Sequence, residues 1–253
     1  MCGRYLIEID EKELKEIIAE VEKSGDERSL QLSATFKGGE IFPGSIVPVI
    51  TANNKVRFMT WGFPSIVNKS SHTPQGVISS RARPGIHHIN ARSETAATSK
   101  TFGEAMASRR CVVPASGYYE WKTLDKKNKT KYEITLPGRT PVYMAGIYSS
   151  DERFAVLTRA AAPAVTEIHD RMPVILHKSL IHAWLNDSPE VMKEALTDLH
   201  FAPVSASDKE PKQMSLLADE DFGKQEKRRK IRPRGHAVVD DRQLRLDFGE
   251  ASN

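Results

Sequence analysis

Between Glu11 and Lys23 the apolar residues Leu14, Ile17, Ile18 and Val21 recur at i, i+3, i+4 and i+7, the spacing that lines one face of a helix. An amphipathic helix is expected there, preceded by a short strand over residues 3–7. From Ser24 to Phe42 no period is present. Ser45–Ala52 and Lys55–Trp61 read as two strands joined by Asn53-Asn54, residues that tolerate positive φ, and so predict a hairpin. From Pro64 to Gly85 the composition turns to Ser, Asn, His, Pro, Gly and Arg, which predicts a long surface loop of a length usually kept for function. Strand segments follow at Arg110–Pro114, Tyr132–Leu136, Val142–Tyr148 and Arg153–Thr158, the last two separated by a tight Ser-Ser-Asp-Glu turn. Helical signals return at Leu180–Leu185 and at Glu190–Leu199, where Ser188 is placed to cap, Pro189 to open the first turn, and Met192, Ala195, Leu196 and Leu199 to form the apolar face. Antiparallel strands interrupted by a few helices, without a βαβ rhythm, indicate an α+β fold.

After about Ser207 the periodicity stops. Residues 208–253 hold 11 Lys/Arg and 10 Asp/Glu, which is the composition of a disordered tail following a single domain over 1–207. The whole chain of 253 residues is 39% hydrophobic and nets +4, so it can bury a core and is only mildly basic. No run approaches the roughly 18 apolar residues that span a bilayer, and the polar start carries no apolar signal core. A cytoplasmic protein without a membrane partner is expected. Only Cys2 and Cys111 occur, with no CxxC pairing, which disfavours a disulfide framework or a cysteine-built zinc site. His87-His88 lacks a third ligand, so no metal is assigned, and no Walker loop, GxGxxG, HExxH or GxSxG pattern points to a cofactor or a common hydrolase.

Cys2 draws attention by position. Removal of Met1, favoured before a small residue, would leave a 1,2-aminothiol: an α-amine of pKa about 8 beside a thiol of pKa about 8.5. Such a pair traps an aldehyde twice, the amine giving a Schiff base and the sulfur closing it to a five-membered thiazolidine. A cysteine that merely fell second is the plain alternative. His169 in Ile168-His169-Asp170-Arg171 has an acid and a base beside it, which suits proton transfer near neutrality, or it is an ordinary surface histidine. Glu120 between Tyr119 and Trp121 is either a dehydrated general acid/base or a strand residue facing water. Asn90 and Arg92, two apart in an extended segment, share a side. Arg92 can hold a phosphate, or simply pair with Glu94. Trp61, Trp121, Tyr118 and Tyr119, with Arg4, Arg81, Arg83, Arg109 and Arg110, are the ingredients of a groove in which bases stack and phosphates meet cations; the same aromatics could be core.

Taken together, Met1-Cys2-Gly3-Arg4, Trp61-Gly62, Asn90-Ala91-Arg92-Ser93-Glu94-Thr95, Arg109 to Trp121, Ala145-Gly146-Ile147-Tyr148 and Ile168-His169-Asp170-Arg171-Met172-Pro173-Val174-Ile175-Leu176 resemble the SRAP family, the SOS-response-associated peptidases that shield abasic sites. The resemblance runs in order over about residues 1–206, and Pro203-Val204-Ser205 fits it too. It implies a central antiparallel, barrel-like sheet flanked by helices, and a monomer that binds single-stranded DNA at an abasic site. It further implies that the mature Cys2 joins the ring-opened sugar as a thiazolidine. By the same carry-over Asn90 positions the Cys2 amine, Arg4 and Arg92 hold the DNA backbone, and Glu120 and His169 share the proton transfers. Thr158 falls where the family has a polar active-site residue, and Trp121 and Trp61 belong with the DNA contacts. A secondary implication is autocatalytic removal of Met1 by the same residues.

In the tail, Gln243-Leu244-Arg245-Leu246-Asp247-Phe248 is similar to the peptides by which bacterial proteins dock on the replication sliding clamp, with Gln243, Leu244, Leu246 and Phe248 as the contacts. The basic run Lys227–Arg234 could add salt-sensitive DNA affinity, or serve only as a solvated linker. Two rival readings stand: a non-catalytic adaptor for single strands and the clamp, and an N-terminal-nucleophile amidohydrolase whose Cys2 attacks an amide.

Overall fold

A computed structural model describes residues 2–8, 26–52, 55–67, 81–125, 128–186 and 188–205, with the isolated positions 12, 15, 16 and 19. The tail over 208–253 and its clamp-like peptide lie outside these residues. So do the four apolar positions of the helix expected over Glu11–Lys23; the opposite positions Lys12, Lys15, Glu16 and Ala19 are helical and exposed.

In chain order the elements are β1 (Arg4–Ile7), α1 (Glu27–Thr35), β2 (Gly39–Ile41), β3 (Ile46–Thr51), β4 (Lys55–Trp61), β5 (Phe63–Val67), β6 (Arg81–His88) and β7 (Asn90–Arg92). The short helices α2 (Ser93–Ala96) and α3 (Gly103–Ser108) lead into β8 (Arg110–Ala115), β9 (Gly117–Thr123), β10 (Lys129–Thr135), β11 (Val142–Tyr148) and β12 (Arg153–Ala160). Last come β13 (Arg171–Pro173), β14 (Ile175–Leu176), α4 (Ile181–Asn186) and β15 (His200–Pro203).

Strands dominate a mixed α+β architecture. One sheet runs β15-β10-β9-β1-β2, antiparallel throughout. A second runs β13-β12-β4-β3-β8-β11-β14, with β7 added in parallel to β12. Within it β11 also pairs with β12, and β12 pairs in parallel with β4, so the pairings β4, β3, β8, β11 and β12 return to β4. One core cluster joins the inner face of the first sheet (Tyr5, Ile7, Ile41, Tyr118, Ile134) to one face of the second (Val47, Val49, Met59, Trp61, Val113, Phe154, Val156). The other cluster sets the far face of the second sheet (Val56, Phe58, Val112, Ala145, Leu157) against Leu32 of α1, Met106 of α3 and Trp184 of α4. With both faces covered, β8 and β11 are continuous apolar runs rather than alternating ones. Gly146 permits this close packing: a Cβ there would lie 3.0 Å from Cys111 Sγ and 3.1 Å from the Ala155 carbonyl oxygen.

The expected hairpin is present, with Thr51 opposite Lys55 and Ile46 opposite Thr60. The segments at 110, 132, 142 and 153 all form strands. Three expectations are corrected. The aperiodic stretch 24–42 contains α1, which escapes pattern reading because its one fully buried residue is polar: Ser29, whose hydroxyl accepts the Phe58 N–H at 3.1 Å and donates to Asp26. The expected loop over 64–85 is partly a ribbon, since β5 pairs with β6 from Phe63 opposite His88 to Val67 opposite Arg81. Its anchor is tertiary, Phe63 and His88 each packing edge-on against Phe102 at 5.3 Å. The helix expected over 190–199 is a 3-10 turn, Pro189–Glu194, without a capping bond from Ser188; Ala195 turns extended (ψ 141°), yet Ala195 and Leu199 are still buried.

Candidate active site

Cys2 lies just ahead of β1 with no exposed surface, inside the cluster between the two sheets. Its carbonyl oxygen accepts a 2.8 Å hydrogen bond from Asn90 Nδ2, and its Sγ lies 3.6 Å from the Arg4 carbonyl oxygen. Burial first, then the nearby charge of Glu120, push the thiol well above its ordinary range, against a smaller pull from the terminal ammonium. The resting thiol is therefore neutral, and a nucleophilic sulfur needs a proton acceptor at hand.

Glu120 lies near enough for its charge to act on that thiol. The register of β9 against β1 sets Tyr118 opposite Tyr5 and Tyr119 opposite Arg4, so Tyr118 and Glu120 point inward while Tyr119 and Trp121 point outward. Glu120 is 4% exposed; the water-facing alternative is thereby corrected. Asn90 opens β7, whose parallel pairing with β12 sets Asn90 beside Val156 and Arg92 beside Thr158 on one face. Asn90 thus holds residue 2 by its carbonyl, while Arg92 is exposed and its side chain makes no ion pair among the described residues. The Arg92–Glu94 pairing considered above does not form. Glu94 instead receives a bidentate pair from Arg171 at 2.7 and 2.9 Å, which holds its carboxyl down at about 2.

His169 precedes β13. Its Nδ1 lies 3.0 Å from the Arg171 backbone nitrogen and 2.8 Å from the Asp170 carboxylate, so both neighbours hold the ring in place. The segment before it is tied to the Cys2 cluster through Val165 and Ile168. Arg171 also donates to the Thr158 carbonyl oxygen at 2.6 Å and to its hydroxyl at 3.3 Å, fixing β13 against β12 beside Arg92.

The outward face of the first sheet carries the predicted contacts Arg4 and Trp121, with partners that pattern reading missed. The Arg4 guanidinium lies 4.5 Å over Phe42 and 5.1 Å over Trp121 and pairs with Glu40 at 3.1 Å. Lys131 pairs with the other Glu40 oxygen at 2.7 Å and sits 4.0 Å over Tyr119. Only the strand pairing reveals this array, because its members come from four separate segments. Other expected groove residues are placed elsewhere. Trp61 is 1% exposed, stacked on Phe154 and tilted on Tyr5, with its indole N–H given to the Ile89 carbonyl, so no base can stack on it. Thr158 is 1% exposed, its hydroxyl donating to the Ala91 carbonyl oxygen at 3.4 Å and accepting from Arg171 at 3.3 Å. Arg110 is buried and donates to the carbonyls of Met106, Ala107 and Trp184. Among the described residues no three His, Cys, Asp or Glu side chains converge as metal ligands, and no helix is long and apolar enough to cross a membrane.

Fold and site define a sheet-dominated α+β protein that draws its own second residue, a cysteine, into a buried cluster with amide, carboxylate and phenol groups. The chain belongs to the family described as SOS response associated peptidase (SRAP), whose model matches residues 1–215. It is 30% identical over 179 residues to the abasic site processing protein YobE of Bacillus subtilis, covering 66% of this chain and 74% of that one. It is also 34% identical over 146 residues to YoaM of the same organism, another abasic site processing protein, covering 53% of this chain and 62% of that one. Crystal structures of a Bacteroides thetaiotaomicron protein (19% identical, TM-score 0.58, covering 81% of this chain and 93% of that one) and a phage-related Bordetella bronchiseptica protein (22%, 0.57, 80% and 94%) share the fold.

Proposed function

We propose that this protein captures abasic sites in single-stranded DNA covalently, joining the ring-opened sugar to Cys2 as a thiazolidine once Met1 is gone, and so shields the lesion. The observation that carries the reading is the bond from Asn90 to the Cys2 carbonyl, which holds the second residue of the chain inside the molecule beside Glu120. Burial alone is ordinary for a free cysteine, and it is the side-chain amide bonded to its backbone that fixes the position of this one. Relatives that process abasic sites support the substrate class.

In this scheme the aldehyde meets amine and thiol on the same residue, which gives two bonds without a cofactor. Sugar ring opening needs acid at the ring oxygen and imine formation needs base at the amine; Glu120 and His169 divide these duties. Arg92 takes the phosphate beside the lesion, and Arg4 with Trp121 supports the strand on the outer sheet. Removal of Met1 by the same groups is a secondary activity. The protein acts as a monomer in the cytoplasm or on the nucleoid, with the 243–248 peptide as a clamp contact.

The test is denaturing electrophoresis with intact mass, on Met1-free protein mixed with a single-stranded oligonucleotide carrying one abasic site. A species of protein plus DNA minus water, absent from Cys2→Ala, is expected. With Met1 shown absent and no covalent species, the adaptor reading takes over. Release of ammonia from glutamine would favour the amidohydrolase instead.

A further inference from the structure

Three polar atoms in the Cys2 cluster are buried without a hydrogen-bond partner among the described residues: the hydroxyls of Tyr5 and Tyr118 and the Oδ1 of Asn90. Buried hydroxyls in a folded core are nearly always bonded, so one orphan invites explanation and three in one place indicate a partner that arrives later. Their placement is specific. Tyr118 is 1% exposed, stands directly across from Tyr5, and lies two residues before Glu120 on the same inward face of β9. Asn90 reaches the same point from β7 through its bond to Cys2.

We infer that the Tyr118 hydroxyl is a further catalytic group of the capture reaction, donating a hydrogen bond to the sugar aldehyde oxygen as Cys2 attacks. The inference rests on the function proposed above. The Cys2 amine nitrogen adds to C1′, the carbonyl π pair moves onto the oxygen, and that oxygen takes the proton the amine gives up. The hydroxyl then leaves as water with a second proton from the site acid, and Sγ closes on the imine carbon and returns a proton to that acid. Negative charge builds on the oxygen during the first addition, and a fixed donor in a water-poor site is most effective at that moment. Tyr118 is fitted to donate and not to act as base, because burial, with Cys2 and Glu120 adding to it, drives its ionisation well above the ordinary range. Tyr5 is left to donate to the C4′ hydroxyl, the one free hydroxyl of the open-chain sugar within a strand.

Tyr118→Phe keeps the ring and removes one oxygen. Single-turnover crosslinking of the full-length, Met1-free protein to an oligonucleotide with one abasic site is expected to slow about three- to tenfold, the worth of one neutral hydrogen bond. Its melting temperature should be equal to or above the wild type, since an unbonded buried hydroxyl is lost. In a Cys2→Ala background the substitution should leave affinity for an oligonucleotide without an abasic site unchanged. A crosslinking rate within about twofold of wild type overturns the inference, and so does a lowered melting temperature, which would mean the hydroxyl bonds within the resting protein. If the wild type forms no Cys2-dependent adduct, the proposed function fails and this inference with it; an adduct that forms equally fast in Tyr118→Phe sinks the inference alone.

Discussion

Replacing Asn90 by alanine tests how the site is held together. Asn90 Nδ2 donates to the Cys2 carbonyl oxygen at 2.8 Å, and Cys2 has no exposed surface, so the deletion leaves that oxygen buried without its donor. An unsatisfied buried acceptor costs about 1–3 kcal/mol. The cost falls on the docked position of residue 2, just ahead of β1, and it lowers the docked population by roughly 5- to 150-fold relative to the undocked one. Crosslinking at saturating oligonucleotide should slow by a comparable factor where docking limits the rate. Asn90→Asp should be at least as slow, because it sets a carboxylate against the carbonyl oxygen and near Glu120. The assay is single-turnover adduct formation followed on denaturing gels, with noncovalent affinity measured in parallel for Cys2→Ala and Cys2→Ala/Asn90→Ala. Equal affinity in that pair with a large loss of rate supports the argument. A rate for Asn90→Ala within twofold of wild type would refute the claim that this bond holds the nucleophile in place.

Other outcomes follow from the same geometry. Arg92→Ala should weaken binding to single-stranded DNA and reduce the salt dependence of log K by about 0.7, the contribution of one phosphate contact to a single strand, which a salt titration by fluorescence anisotropy would read. The Glu94 carboxyl is held at about 2 by Arg171, so the pair's contribution is fully present above the ordinary carboxylate range near 4.5 and is lost as pH falls toward 2. With the Glu94 side chain 48% exposed, solvent screening reduces that contribution to about 1 kcal/mol, and urea melts should show wild type and Glu94→Gln converging between pH 5 and pH 2. Trp61→Ala should destabilise the fold by about 3–5 kcal/mol, as expected for a large core aromatic, whereas Trp121→Ala should cost far less stability and lower DNA affinity; the reverse order of melting temperatures would contradict the assignment of Trp61 to the core.

The chemical inventory was legible in the linear sequence. A cysteine at position 2, Asn90 and Arg92 two apart, Glu120 among aromatics and His169 beside Asp170 are short-range facts, and a strand or turn preserves them. So are the hairpin at 46–61 and the apolar strands, since β-branched runs and turn residues act locally. The helix α1 and the β5–β6 ribbon were not legible, because Ser29 and Phe63 are secured by partners about 30 to 40 residues away in Phe58 and Phe102 rather than by any period of their own. Tertiary structure alone decided which side of each strand faces inward. A one-residue shift of β9 against β1 would turn Glu120 outward and Trp121 inward. It also sent Trp61 into the core and left Trp121 outside, paired Glu94 with Arg171 instead of Arg92, and gathered Cys2, Tyr5, Asn90 and Tyr118 from three strands and the chain's start into one buried cluster. Residue type sets what a side chain can do; the pairing of distant strands sets what it meets.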